Sequence, residues 1–245
     1  MLKNIKKRID TYLDRKFNKL YKKQRLNNQI AFNYAQLNNL FVNTSFYIPF
    51  TGWSMSPSTI THVLNDIVVN NRQCIVEFGS GASTFYIAKL LKSNNIEASF
   101  FTIESNADWA EKIKKQLEVL DLTNFVTIIT APIKSIDKSL TLDNQELWYG
   151  IDKLDEHLNT INTIDLVLVD GPFGGLTPNA RFSAVPYLKN KLAKSFIVFL
   201  DDMHRDEEKN ILKLWGDILN CSNHEVERYG FLSNETQFYS KPLQL

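Results

Sequence analysis

The sequence predicts an α/β fold: a doubly wound, mostly parallel seven-stranded sheet with a helical N-terminal extension and a C-terminal antiparallel hairpin. Three observations carry that expectation. From Gln73 onward, short apolar runs alternate with helical stretches, the pattern of right-handed βαβ units. The apolar runs are continuous, as in strands buried on both faces. The first of them ends in a glycine turn, Gly79-Ser80-Gly81, at the kind of strand end where such sheets bind ligands.

Taken in order, residues 1–40 read as helix. Ile5, Ile9, Leu13, Phe17 and Leu20 follow steps of four and three and give one apolar stripe. Residues 1–26 carry ten Lys/Arg against Asp10 and Asp14, a net +8 that leaves −7 for the rest of a chain whose formal total is +1. Such a helix either meets an anionic membrane surface or a partner, or packs on its own domain or in a dimer with its lysines in water. Packing is the commoner use. Residues 1–45 are therefore set apart as a basic amphipathic extension, and 46–245 as the domain proper. A Pro/Gly-rich loop over 48–57 follows, then a short helix to about Val69, capped by Ser56 or Ser58 with Pro57 in its first turn.

Buried strands are expected at Cys74–Phe78, Phe100–Ile103, Phe125–Thr130, Ile164–Val169 and Phe196–Leu200. Helices are expected at Thr84–Lys92, Ala107–Leu120, Arg181–Leu192 and Glu207–Leu219. Residues 131–163 read as a long connection with a helix around Tyr149–Leu158. Glu225–Gly230 and Thr236–Ser240 supply the two hairpin strands.

Composition narrows the class. With 44% hydrophobic and 22% charged residues, the chain can pack a core and is not globally disordered. No run approaches the roughly 18 apolar residues that span a bilayer, and the basic N-terminus lacks the apolar core of a secretory signal. Cys74 and Cys221 form no disulfide or zinc pattern, so a reducing, cytoplasmic setting is expected. The acidic domain and the absence of a base-flipping motif after the fourth strand argue against a nucleic-acid partner.

The chemistry gathers at strand ends. Gly79 and Gly81 let backbone approach a ligand, with Glu77 two residues earlier and Ser83 or Thr84 placed to cap the next helix. Glu104 ends the second strand about 25 residues on, where a carboxylate can accept both ribose hydroxyls of an adenosyl cofactor. It can also simply favour the start of the following helix. These elements suit a nicotinamide-dependent oxidoreductase or a methyltransferase using S-adenosylmethionine (SAM). Thr84 stands where a pyrophosphate-binding turn has its third glycine, the glycine turn begins only after about 70 residues, and the tail looks like an inserted hairpin; all three favour SAM.

Asp170 ends the fourth strand, and Asp201, Asp202 and His204 follow the fifth. Three carboxylates at neighbouring strand ends repel one another unless a cation or protons intervene, and a hard ion such as Mg²⁺ suits oxygen ligands. Alternatively, Asp201 or Asp202 caps the next helix. His204 is either a general base for a hydroxyl or a surface histidine. Arg181 either clamps an anionic substrate or pairs with an aspartate. Trp53, Ser54 and Ser56 form a lid or an ordinary packed loop.

Glu77-x-Gly79-x-Gly81, Glu104, and Asp165-Leu-Val-Leu-Val-Asp170-Gly171-Pro172 resemble class I SAM-dependent methyltransferases over roughly residues 50–240. The resemblance implies that Gly79 and Gly81 cradle the methionine part of SAM, that Glu77 orients that loop or the amino group, and that Glu104 holds the ribose. Ser83 and Asp170 complete the implied cofactor set, and the adenine contact is expected near Thr130–Ile133. The acidic residues also resemble those of catechol-type O-methyltransferases, with Asp202 where that group has Asn. This resemblance implies roles for Asp170 and Asp201 at the reacting oxygen and a Mg²⁺ site on Asp170, Asp201 and Asp202; with His204 as the base read above, the expected catalytic set is Asp170, Asp201 and His204. Gly-Trp-Ser-x-Ser-Pro, Val-Asp-Gly-Pro and Leu-Asp-Asp-x-x-Arg resemble bacterial methyltransferases, some encoded beside surface-polysaccharide genes. A sugar or another small hydroxyl acceptor is the implied substrate. The rival expectations are the oxidoreductase and a non-catalytic SAM-fold module that binds a partner or membrane through residues 1–26.

Overall fold

The computed structural model describes residues 2–42, 46–226, 228–234 and 238–243, with side chains from position 6 onward. Helix α1 (Leu2–Asn38) is followed by a single 3₁₀ turn and the loop to α2 (Pro57–Val69). The Ser56 hydroxyl accepts from the Thr59 N–H at 3.1 Å and Pro57 takes the first helical position, as expected. There follow β1 (Cys74–Phe78), α3 (Ala82–Ser93), β2 (Ser99–Glu104), α4 (Ala107–Val119) and β3 (Thr127–Thr130). A ribbon of β4 (Ile133–Ser135) and β5 (Leu147–Tyr149) leads to α5 (Ile151–Leu158) and β6 (Ile164–Val169). The chain closes with α6 (Ala184–Leu188), β7 (Leu192–Leu200), α7 (Asp206–Leu219), β8 (Asn223–Val226) and β9 (Tyr229–Ser233).

The main sheet has seven strands in the order β3-β2-β1-β6-β7-β9-β8. The first five are mutually parallel, and β9 enters antiparallel between β7 and β8. Side chains alternate across it. Ile75, Leu166, Leu168, Ile197 and Phe199 pack on the face covered by α2 and α3. Val76, Val167, Val169, Val198 and Leu200 pack against α5, α6 and α7 on the other.

Two expectations are corrected. The hairpin strands lie earlier than 225–230 and 236–240, with Val226 opposite Tyr229. The run Tyr229-Gly-Phe-Leu232 is the inserted strand and is buried. Thr236 lies outside the described residues, and Ser240 is not in a strand. Its hydroxyl donates instead to Asp66 at 2.6 Å and meets His62 Nε2 at 3.2 Å, tying the tail to α2. Burial, reinforced by Lys241, pushes the His62 imidazole down to about 3, so it packs neutral. The helix expected over Arg181–Leu192 shrinks to five residues. Pro186 has no N–H for the Phe182 carbonyl, which accepts instead from Trp215 Nε1 at 2.8 Å.

Helix α1 divides in two. Its C-terminal part packs on α2: Asn33 and Leu37 are buried, and Asn33 Nδ2 donates to Ser58 Oγ at 2.8 Å. Residues 6–25 are exposed throughout, so the apolar stripe of Ile9, Leu13, Phe17 and Leu20 is not buried against the domain. The Ile5 side chain lies outside the described residues.

Candidate active site

The carboxyl ends of β1, β2 and β6 open into one cavity of about 1000 Å³. Gly79–Gly81, Glu104, Trp109 and Asp170–Phe173 all line it. The glycine turn is forced. Gly79 has φ +96°, and a Cβ there would meet the backbone nitrogen of Gly171 at 3.0 Å. A Cβ on Gly171 would in turn strike Gly79 and the Tyr149 hydroxyl. The loops after β1 and β6 therefore touch backbone to backbone. Gly79 N donates to Ile103 O at 2.8 Å, and Gly171 N donates to Phe78 O at 2.7 Å.

Glu77 lies behind this turn. It is fully buried and does not line the cavity. Its carboxylate accepts from the hydroxyls of Ser83, Thr84 (2.6 Å) and Thr102 (2.7 Å). Thr84 also accepts from Gly81 N–H at 3.0 Å, and Ser80 shares a 2.8 Å hydrogen bond with Thr102. One carboxylate thus fixes both ends of the turn. Burial pushes its pKa up to about 7, with the three hydroxyls pulling the other way. Glu77 is accordingly placed to hold the loop and not to touch a ligand in the cavity.

Glu104 faces the cavity across from the glycines. Its Oε1 accepts from Asn106 N–H at 2.8 Å and from Ser105 Oγ at 3.3 Å. Among the described residues nothing donates to Oε2, which leaves an acceptor for a ligand hydroxyl. Trp109 Nε1 donates to Ser80 O at 2.9 Å, so its indole walls the cavity beside Glu104. Residues 130–133, where the adenine contact was expected, do not line it, because the chain after β3 turns into the β4–β5 ribbon; Trp109, Ile113 and Gln116 of α4 stand there instead.

At the other end, carboxylates meet arginines. Arg181, 4% exposed, donates to Asp170 Oδ1 at 3.2 Å, to Asp202 Oδ2 at 3.0 Å and to the Asp201 carbonyl at 3.2 Å. Arg205 pairs with Asp202 at 3.0 Å and with buried Glu208 at 3.2 Å, and Arg228 reaches Asp202 Oδ1 at 3.4 Å. His204 Nδ1 lies 3.8 Å from the same oxygen, with its ring exposed in the cavity wall. Burial pushes the Asp170 and Asp201 carboxyls up, and carboxylate neighbours add to this. Burial also opposes the charge on Asp202, but Arg181 and Arg205 outweigh it and hold that carboxyl low.

Asp170, Asp201 and Asp202 do bring oxygens within 4.8 Å of one another, as expected for a metal cluster. The surroundings do not fit Mg²⁺. Both Asp202 oxygens face guanidinium nitrogens and Asp170 already accepts from Arg181, so a dication here would sit against three fixed positive charges. The repulsion read from the sequence is relieved by arginines. Asp201 is corrected as well: it is 1% exposed, does not line the cavity, and takes a 3.4 Å hydrogen bond from Thr59 Oγ1. Of the three expected carboxylates, Asp170 and Asp202 line the cavity.

Trp53 and Ser54 line the cavity, whereas Ser56 is spent on its helix cap. The Trp53 and Phe173 rings, both exposed, meet edge-on at 5.5 Å across its rim. Thr102, Trp109, Tyr149 and Arg228 escaped sequence reasoning. Arg205 entered it only as the end of the Leu-Asp-Asp-x-x-Arg motif, and its pairing role was signalled by its place three residues after Asp202 and three before Glu208.

The strand order with its antiparallel insertion is the fold of the class I SAM-dependent methyltransferases. Solved structures agree. The chain superposes on a Staphylococcus aureus protein assigned as a caffeoyl-CoA O-methyltransferase with a TM-score of 0.55 at 13% identity, covering 82% of this chain and 89% of that one. An O-methyltransferase from Bacillus cereus in complex with SAH (S-adenosylhomocysteine) gives 0.54 at 15% identity, covering 86% and 89%. The SAH-bound methyltransferase PaMTH1 of Podospora anserina gives 0.53 at 11%, covering 85% and 88%. No protein-family profile matches the chain, and no curated protein matches it by sequence.

Proposed function

We propose that the protein is a SAM-dependent O-methyltransferase acting on a hydroxyl of a small molecule, with sugar hydroxyls within that class. The observation that carries this reading is the juxtaposition of the Gly79–Gly81 turn and the free Glu104 oxygen on one cavity of nucleoside-and-more size. The close backbone approach at Gly79 and the Glu104 carboxylate suit the two ends of SAM, methionine and ribose, with Trp109 beside the base. The neighbours that contain SAH or are named O-methyltransferases support the same choice.

SAM, when bound, supplies an electrophilic methyl group: an oxygen–carbon bond forms as the carbon–sulfur bond breaks, and sulfur keeps the electron pair. The residues supply alignment and a destination for the proton. Asp170 and His204 line the end of the cavity beyond the glycines. His204 turns Nδ1 toward Asp202, which leaves Nε2 to take the acceptor's hydroxyl proton. Arg181 fixes Asp170 at the mouth of β6. A cytoplasmic setting belongs to this reading. Both cysteines are unpaired, and among the described residues no helix is long and apolar enough to cross a membrane.

Isothermal titration tests the proposal. SAM and SAH should both bind, and Glu104→Ala should weaken SAH by roughly tenfold to a hundredfold, the loss of hydrogen bonds to a charged acceptor. Absence of binding at millimolar SAH removes the assignment.

A further inference from the structure

A second hollow adjoins the first. Between α1 and the loop before α2 runs a groove of about 840 Å³, walled by Leu26, Ile30 and Tyr34 on one side and by Phe50 and Met55 on the other. Tyr34 and Phe50 meet edge-on at 5.2 Å, which fixes its apolar floor. The groove is continuous with the cofactor cavity: Thr51, Ser54, Met55, His204 and Arg228 line both. A ligand with its hydroxyl at His204 therefore has a carbon-lined channel behind it. A bare sugar would leave that channel unfilled.

The helix that walls the groove continues outward. Ile9, Leu13, Phe17 and Leu20 lie on one stripe and are 52%, 43%, 66% and 63% exposed. Residues 6–25 carry nine Lys/Arg against Asp10 and Asp14. An apolar stripe flanked by lysines suits the interface of an anionic bilayer, where the rings and aliphatic side chains leave water and the cations meet headgroups. A second copy of the same helix would bring like charge against like charge.

We infer that the acceptor is a membrane-borne amphiphile: its hydroxyl head sits at His204, its apolar tail lies in the groove beside α1, and residues 6–25 dock on the anionic bilayer that carries it. This rests on the methyltransferase reading. Methyl transfer balances as described above, with the hydroxyl proton passing to His204.

Two measurements on the SAH-loaded 245-residue chain test it. The first titrates phenol, 4-butylphenol and 4-octylphenol. Affinity should tighten about fourfold per buried methylene. Ala31→Trp, which fills the groove from an exposed position on α1, should abolish that dependence and leave SAH affinity unchanged. Equal affinity along the wild-type series overturns the groove assignment. Failure to bind SAH at all overturns the methyltransferase reading instead. The second measurement sediments the protein with phosphatidylcholine vesicles with or without phosphatidylglycerol. Binding should require the anionic lipid, fall at high salt and be lost in Leu13→Glu/Phe17→Glu. Chain-length dependence without vesicle binding overturns the bilayer as the source of the acceptor.

Discussion

The two ends of the cavity bury carboxylates by opposite means. Behind the glycine turn, Glu77 is satisfied by three neutral hydroxyls within 25 residues of it. At the Asp170 end, three acidic side chains, Asp170, Asp202 and Glu208, share Arg181, Arg205 and Arg228, drawn from three separate segments. Neutral donors hold one acid without adding a positive charge behind the glycine turn. Guanidiniums hold several acids at once, but each arginine then becomes a shared support whose loss strands more than one partner.

The sharpest way to break the comparison is Arg181→Met. It leaves Asp170, Asp202 and Glu208 short of a partner and should cost roughly 3–5 kcal/mol of stability in urea denaturation. A loss no larger than that of a single hydroxyl would erase the distinction.

Glu77→Gln is next, at about 1–3 kcal/mol, because one of the three hydroxyls must turn round to accept. Its pH response separates the two ends. The folded state raises the Glu77 pKa from 4.5 to about 7, so that group's contribution to stability is fully present below pH 4.5 and lost as pH rises through 7. Asp202 is shifted down from 3.8, so its contribution is present above pH 3.8 and lost as pH falls below it. Urea midpoints of the wild type should therefore include a decline between pH 5 and 8 that Glu77→Gln removes, while the acid limb stays.

The smallest expected effect is that of Trp109→Phe. It forfeits one hydrogen bond to Ser80 O, about 0.5–1.5 kcal/mol, and should weaken SAH only a few-fold by titration.

The same contrast explains what the sequence could disclose. Strand, turn, helix and the second strand's acid lie in one short stretch, so Glu77, Gly79, Gly81, Ser83 and Glu104 stand out by spacing. The alternation of apolar runs disclosed the five parallel strands equally well. The arginine end is assembled from residues 181, 205 and 228, brought together by the inserted β9, and no local pattern announces it. Three aspartates at neighbouring strand ends, Asp170, Asp201 and Asp202, therefore looked like a metal site. Trp109 read as an ordinary helix residue because only the folded turn offers it the Ser80 carbonyl. The hairpin was displaced because 225–230 takes in both strands and the turn between them.

The edge-on meeting of Trp53 and Phe173 bears on turnover. A single aromatic pair of this kind is worth about 0.5–1.5 kcal/mol. On that contact alone, the two rings stay together only about two to thirteen times as often as apart. Traffic of reactant and spent product then needs no large rearrangement, and losing either ring would widen the passage more than it would alter the chemistry inside.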